Sequence, residues 1–388
     1  MKKILIFGAG KIGRAFIGQL FSNASYEVVF VDAVQSIVDL LNQHQKYNVV
    51  IRDLRPDIIT VENVRAIHAR DNAKVVAEII DTDLIVTCVG LNALPLIAPV
   101  IAEGLLKKYV ANPDSKTDII LAENLRNAAF YFSGQIASHL PKMFPLANNV
   151  GFIETSIGKM VPIMSDEDMA EDPLQVFAEA YNTLIVDGKG FKNPIPNVQG
   201  LAPKENIKAW VDRKLFIHNM GHAIAAYFGN YYHPEKEYLY EVLADKKIED
   251  LTRAAMQESG AVLRAIYPQE FTKQDIDNHI DDLINRFENR LLGDTVYRVG
   301  SDLKRKLGKS DRIATPIRYA IQYQLPFDHI LKGYKAALCF YATLNNAQHP
   351  DDIFIIDQYK KKGIEFIMKE ISGIDPEKCL RNTSKEIV

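Results

Sequence analysis

Apolar positions follow two different rhythms along this chain. In the first half they form short runs at 3–7, 27–31, 83–89 and 117–122, each closed by glycine or an acidic residue. Runs of this length predict strands buried on both faces of a parallel sheet. The segments between them, 12–21, 34–44 and 94–106, carry apolar residues at helical spacing, so strand and helix alternate. Further strands of the same sheet are expected at 150–156 and 160–163. The pattern changes after the turn-rich stretch Lys192-Asn-Pro-Ile-Pro-Asn-Val-Gln-Gly200. Long helical periodicities then dominate, at 213–228, 248–266, 276–287 and 327–342. The reading is an α/β domain at 1–193 and a mostly α-helical domain at 194–388, with a polar, partly ordered tail over 375–388.

A chain of 388 residues is long enough for two such domains. Its hydrophobic share of 47% and charged share of 24% are those of a soluble globular protein. The formal net charge of −3 and the lack of a long basic run favour neither nucleic acid nor a membrane surface as partner. No apolar run reaches the roughly 18 residues needed to span a bilayer. The opening MKKILIF leads straight into glycines and reads as a strand rather than a secretory segment. Three widely spaced cysteines, Cys88, Cys339 and Cys379, fit reduced thiols and a cytoplasmic location. The expected state is a monomer or homodimer acting on a small molecule.

Gly8-Ala-Gly10-Lys-Ile-Gly13 follows the first strand and opens a helix. In that context the first glycine allows the tight turn and the second lets backbone approach a pyrophosphate. The third allows helix and strand to pack closely, while the helix N-terminus presents free N–H groups. The reading is a Rossmann-type, doubly wound dinucleotide-binding sheet, with Phe7, Gly8, Ala9, Gly10, Lys11, Ile12 and Gly13 as cofactor contacts. Asp32 ends the second strand nineteen residues after Gly13. A carboxylate there bonds the adenosine ribose hydroxyls and repels a 2′-phosphate, so NAD is the expected cofactor. The bland alternative is a strand–helix turn with no ligand.

The second half carries Lys214-Leu-Phe-Ile-His218-Asn219-Met-Gly221-His222 inside a predicted helix. These supply an amine, an amide and two imidazoles, the groups that take a proton from an alcohol and hold the remaining oxygen. If Asp212 caps the helix, Lys214 sits in its first turn, where burial and the helix dipole both disfavour the ammonium. A lysine brought from about 10.4 to roughly 7–8 is useful as a general base. At 100° per residue, His218 and His222 follow Lys214 around one face. Two other readings stand beside this one. Such residues often do no more than pack or face solvent, and His218 and His222 have the i, i+4 spacing of a zinc pair. No third ligand stands at a suggestive spacing, so no metal is expected.

The K-x4-N-x2-H pattern of Lys214, Asn219 and His222 resembles that of the polyol-specific long-chain dehydrogenases, the mannitol dehydrogenase family. The resemblance continues in FGAGKIGRAFIG at 7–18, CVGLNALPLIAPVIAEGL at 88–105 and AENLRNA at 122–128. It extends to DTVYRVGSDLKRKLGKSDR at 294–312 and LPFDHILKGYKAAL at 325–338. It implies metal-independent catalysis with Lys214 as general base. Asn219 and Asn124 would be donors to the substrate oxygen, and His222 would hold a neighbouring hydroxyl. Arg298 and Lys306 would be substrate contacts, in the densest basic region of the chain. The implied reaction is reversible NAD-dependent oxidation of D-mannitol 1-phosphate to D-fructose 6-phosphate. A reductase of another polyol, polyol phosphate or sugar acid, and a non-catalytic NAD-binding regulator, are the alternatives. Lys11 and Ala15 replace an asparagine and a glycine of the family pattern without disturbing GxGxxG. Gly158 stands where the family has an aspartate, which bears on the choice of polyol.

Overall fold

The computed structural model describes residues 2–53, 55–162 and 164–380. The chain divides into two compact units, Met1–Ile207 and Lys208–Val388.

The first unit contains β1 (Lys3–Phe7), β2 (Glu27–Asp32), β3 (Lys46–Ile51), β4 (Asp57–Glu62), β5 (Val64–His68), β6 (Leu84–Thr87), β7 (Thr117–Leu121), β8 (Val150–Ile157), β9 (Val176–Ala178), β10 (Leu184–Asp187) and β11 (Leu201–Lys204). Eight of these form one sheet in the order β11-β10-β8-β7-β6-β1-β2-β5. From β8 to β5 all neighbours are parallel; β10 runs antiparallel to β8, and β11 parallel to β10. The apolar runs lie where both faces are covered, and Ile4, Leu5, Ile6, Val28, Val29, Phe30, Ile85, Val86, Ile119 and Ile120 are all inaccessible to solvent. One layer of side chains from Ile4, Ile6, Val28 and Phe30 packs on the first helical segment and on a small sheet, β4-β3-β9. The other, from Leu5, Val29, Ile85 and Ile119, packs on helices Asn72–Asp81, Leu94–Ala111 and Ala128–Ser138.

Two features depart from the sequence reading. Met160, Val161 and Pro162 form no strand, and Ile163 lies outside the described residues. The first unit ends at Ile207 rather than at 193, because 201–204, beyond the turn-rich stretch, pairs with β10 as the edge strand β11. That edge is four residues long and includes Pro203, which has no N–H to offer a further strand.

The second unit is helical, and its longer helices include Lys246–Ile266, Lys273–Phe287, Ala314–Tyr323, Asp328–Ala337 and Pro350–Phe366. Asp245 caps the first of these, its carboxylate accepting from Lys247 N–H, and Thr272 and Asp275 form a capping box on the second. Helical turns run unbroken from 207 to 232. Of residues 215–229, all but two are buried, as befits a helix that is apolar around its whole circumference. The part of the polar tail beyond Leu380 lies outside the described residues.

Candidate active site

In the first unit the candidate residues gather at the carboxyl edge of the sheet. The strand order reverses between β1 and β6, the point at which doubly wound sheets open a crevice for ligands. Gly8 adopts φ +103°, and a Cβ there would sit 2.6 Å from the Cys88 carbonyl oxygen. A Cβ on Gly13 would collide with the Gly8 carbonyl, so the helix can start this close to the strand only with glycine. A Cβ on Gly10 would meet nothing within 4 Å, leaving that side of the loop open for a diphosphate. Phe7 and Ala9 bury their side chains and offer only backbone, Ile12 is half-buried, and Lys11 is exposed at the first helical turn. These residues fit a dinucleotide.

Asp32 is tied to this loop. Its Oδ2 accepts from Ala9 N–H at 2.7 Å and its Oδ1 from Val34 N–H at 2.9 Å. Each oxygen keeps a lone pair for a ribose hydroxyl. Arg14, buried behind the loop, donates from Nε to Ala9 O and from Nη1 to Leu174 O, at 2.7 and 2.6 Å. The guanidinium therefore holds the loop from behind rather than meeting phosphate. Asn124 is exposed in the turn after β7. Its neighbour Glu123 is buried and accepts from Val89 and Gly90 N–H, each at 2.9 Å, fixing the turn that follows β6. Burial pushes the Glu123 carboxyl up from its ordinary value. Gly158, at the end of β8, faces the Tyr181 ring, and a Cβ there would make only ordinary contacts at 3.5–3.8 Å. The missing aspartate is thus not excluded by space.

The second unit brings Lys214, Asn219 and His222 together on its central helix. Between 214 and 229 these three alone are half-buried while every other residue is buried. Asp212 does not cap this helix: turns begin at 207, and the Asp212 carboxylate accepts from Tyr267 Oη at 2.7 Å. The dipole argument for Lys214 therefore falls away, because no helix end lies beside it. Burial does the work instead, assisted by the positive charge of Arg312, and lowers the Lys214 pKa from 10.5 to about 8. Nor does 100° per residue hold here, since 214–219 is a π-type segment.

The His222 ring stacks on Phe287 with centroids 4.5 Å apart. Its Nε2 lies 3.1 Å from Asp294 Oδ2, at ion-pair distance but without the alignment of a hydrogen bond. Burial, then Arg298, Lys306, Arg312 and Arg286, keep this imidazole well below its ordinary pKa and hence neutral. His218 is buried against the same Phe287 ring, 5.6 Å away, and is also held neutral by burial. Among the described residues no group of three or more His, Cys, Asp or Glu side chains gathers as a metal's ligands.

Arg298 pairs with Asp294 one helical turn away. Lys306 is buried, donates to Val299 O at 2.6 Å, and has its pKa lowered to about 7 by burial and then by Arg312 and Arg305. Arg312, which the sequence reading left within a basic stretch, emerges as a member of this group. It is largely buried, bonds Asp311 at 2.7 Å, and its charge is felt by Lys214, His222 and Lys306. Nothing in the local sequence marks it beyond the apolar Ile313 and Ala314 that follow. Asp294 is the other residue missed, its signal being only its place at the head of the DTVYRVG run.

The mannitol dehydrogenase Rossmann domain matches residues 2–200, and the mannitol dehydrogenase C-terminal domain matches residues 206–372. Among solved structures, a D-sorbitol dehydrogenase in substrate-free form is similar at 15% identity, covering 97% of this chain and 89% of that one with a TM-score of 0.80. The Pseudomonas fluorescens mannitol 2-dehydrogenase, in a ternary complex with NAD and D-mannitol, is similar at 14% identity. That match covers 94% of this chain and 87% of the other, with a TM-score of 0.73. Among the described residues no helix is long and apolar enough to cross a membrane.

Proposed function

The chain belongs to the mannitol dehydrogenase family, and from that premise we propose that it interconverts D-mannitol 1-phosphate and D-fructose 6-phosphate with NAD. Lys214, with its pKa near 8, takes the proton from the hydroxyl of the carbon being oxidised. When bound, the nicotinamide accepts the hydride that leaves the same carbon. The amide of Asn219 donates to the oxygen as it gains charge, a contribution of roughly 3 kcal/mol for a well-aimed donor. Neutral His222 offers its ring nitrogen to a neighbouring hydroxyl. In the reverse direction the Lys214 ammonium returns the proton. Asp32 receives the adenosine ribose hydroxyls and turns away a 2′-phosphate.

One observation carries the choice of a phosphorylated substrate. Arg286, Arg298, Lys306 and Arg312 all bear on the His222 ring, and Arg312 also on Lys214. Asp282, Asp294 and Asp311 pair with the three arginines, which leaves the charge of Lys306, whose amine donates to the Val299 carbonyl. A neutral polyol would leave the excess uncompensated, whereas a phosphate matches it. A sugar acid is the second reading, because a carboxylate answers the same charge. The deciding assay follows NADH oxidation with fructose 6-phosphate, free fructose and keto sugar acids. The proposal expects kcat/KM for fructose 6-phosphate to exceed that for fructose at least about 100-fold, the worth of one charged contact of roughly 3 kcal/mol. Equal rates on free fructose would reject the phosphate, preference for the acid would favour the second reading, and no turnover would leave a binding protein.

A further inference from the structure

The central helix of the second unit does not keep one register. From Lys214 to Asn219 it takes the wider i to i+5 spacing. The Met220 N–H, which α spacing would give to Phe216 O, bonds Ile217 O instead. Phe216 O accepts from Ser259 Oγ at 2.7 Å, and Ser259 is wholly buried on Lys246–Ile266. Close packing holds the two helices at this level. A Cβ on Gly221 would stand 2.5 Å from Met256 Sδ, and one on Gly260 would strike Ile276 and lie 3.9 Å from Ile217.

One residue inserted into a turn rotates all that follows by about 100° relative to all that precedes. At unbroken α spacing Asn219 would stand about 140° from Lys214, and His222 about 80°. With the insertion the separations become about 40° and about 20°, on opposite sides of Lys214. The half-buried positions 214, 219 and 222 are the face this rotation makes.

We infer that Ser259 is a positioning residue: its hydroxyl satisfies the carbonyl displaced by the wide turn, and the wide turn sets Lys214, Asn219 and His222 on one face. The inference rests on the reading of Lys214 as the base. Gly221 and Gly260 already bring these helices into contact without the Ser259 hydroxyl. Without the Ser259 bond, a relaxation to α spacing restores the Phe216–Met220 hydrogen bond and swings the amide away from the amine.

The test uses Ser259→Ala and Ser259→Cys in the full chain, beside Lys214→Ala. The expected result for Ser259→Ala is a fall in kcat of roughly 10–100-fold, the usual effect of an ångström-scale misplacement. NADH affinity should stay within about two-fold, because the cofactor residues belong to the other unit. The apparent pKa of polyol oxidation should rise by about one pH unit towards the free-lysine value as Lys214 leaves its enclosed site. Ser259→Cys, similar in size but a weaker donor, should fall between. If Ser259→Ala fails to fold, Ser259→Cys decides alone. Native kcat and an unmoved pH profile in the variant that folds, with Lys214→Ala inactive, would overturn the inference and spare the functional reading. Near-native turnover in Lys214→Ala would overturn the functional reading instead.

Discussion

Replacing Lys214 by methionine keeps the apolar stem and removes the charge, so it separates the cost of this lysine from its use. Burial and Arg312 lower the pKa of the parent side chain from 10.5 to about 8. At about 1.36 kcal/mol per pH unit, folding with this lysine protonated costs about 3 kcal/mol. The sign follows from linkage. For a base whose folded pKa is depressed, the deficit is complete below the folded value near 8 and fades as pH rises to the unfolded value of 10.5. Lys214→Met should therefore be more stable than the parent by about 1–3 kcal/mol at pH 7, after about 1 kcal/mol is allowed for imperfect repacking. The gap should close by about pH 10.5. Urea titrations at pH 6, 7, 9 and 10.5 measure it as a change in midpoint at constant slope. Over the same series, turnover should be down about 10²–10⁴-fold at every pH, with NADH binding within a few-fold. A variant that is less stable at pH 7, by an amount indifferent to pH, would refute the burial argument.

Three further outcomes are expected. Asp32→Ala loses both the ribose contact and the bonds from Ala9 and Val34 N–H, so titration of NADH should give a Kd raised at least about 10-fold, with NADPH binding weakened less. Arg312→Gln should raise KM for fructose 6-phosphate about 10-fold or more and hardly change the slow reaction with free fructose. It should also raise the apparent pKa of the oxidation profile, since one of the charges that lower Lys214 is gone. Prolonged dialysis against a strong chelator should leave full activity by the NADH assay; loss restored by zinc would make ligands of His218 and His222.

The α/β half was readable because its strands are buried on both faces, which leaves runs such as Ile4–Phe7 and Leu84–Val86 unbroken by polar residues. The β4-β3-β9 sheet was not. β3 alternates buried with more exposed residues, β4 buries only Val61, and the three-residue β9 pairs with β3 across more than a hundred residues. The motif names Lys214, Asn219 and His222 directly, yet counting at 100° per residue keeps only His222 on the side of Lys214 and sets Asn219 about 140° away. Their common face depends on a wide turn sustained by Ser259, forty residues beyond Asn219, and local spacing carries no trace of that. Asp212 misled for a related reason: aspartate before an apolar run suits a cap, but here its carboxylate is claimed by Tyr267 within an established helix. Arg312 was visible only as one charge among several, because its role comes from burial beside groups distant in sequence.

Pro203 bears on how copies of this protein meet. A parallel sheet with an open margin invites a second molecule to add its own strand, and such growth has no natural end. Here the last strand offers four residues, one of them unable to donate, so a continuous ribbon across two molecules would be interrupted at its first register. Crowded solutions should therefore tolerate this margin well. Substituting Pro203 by a β-branched residue should raise light scattering on concentration without altering the fold of the dissolved molecule.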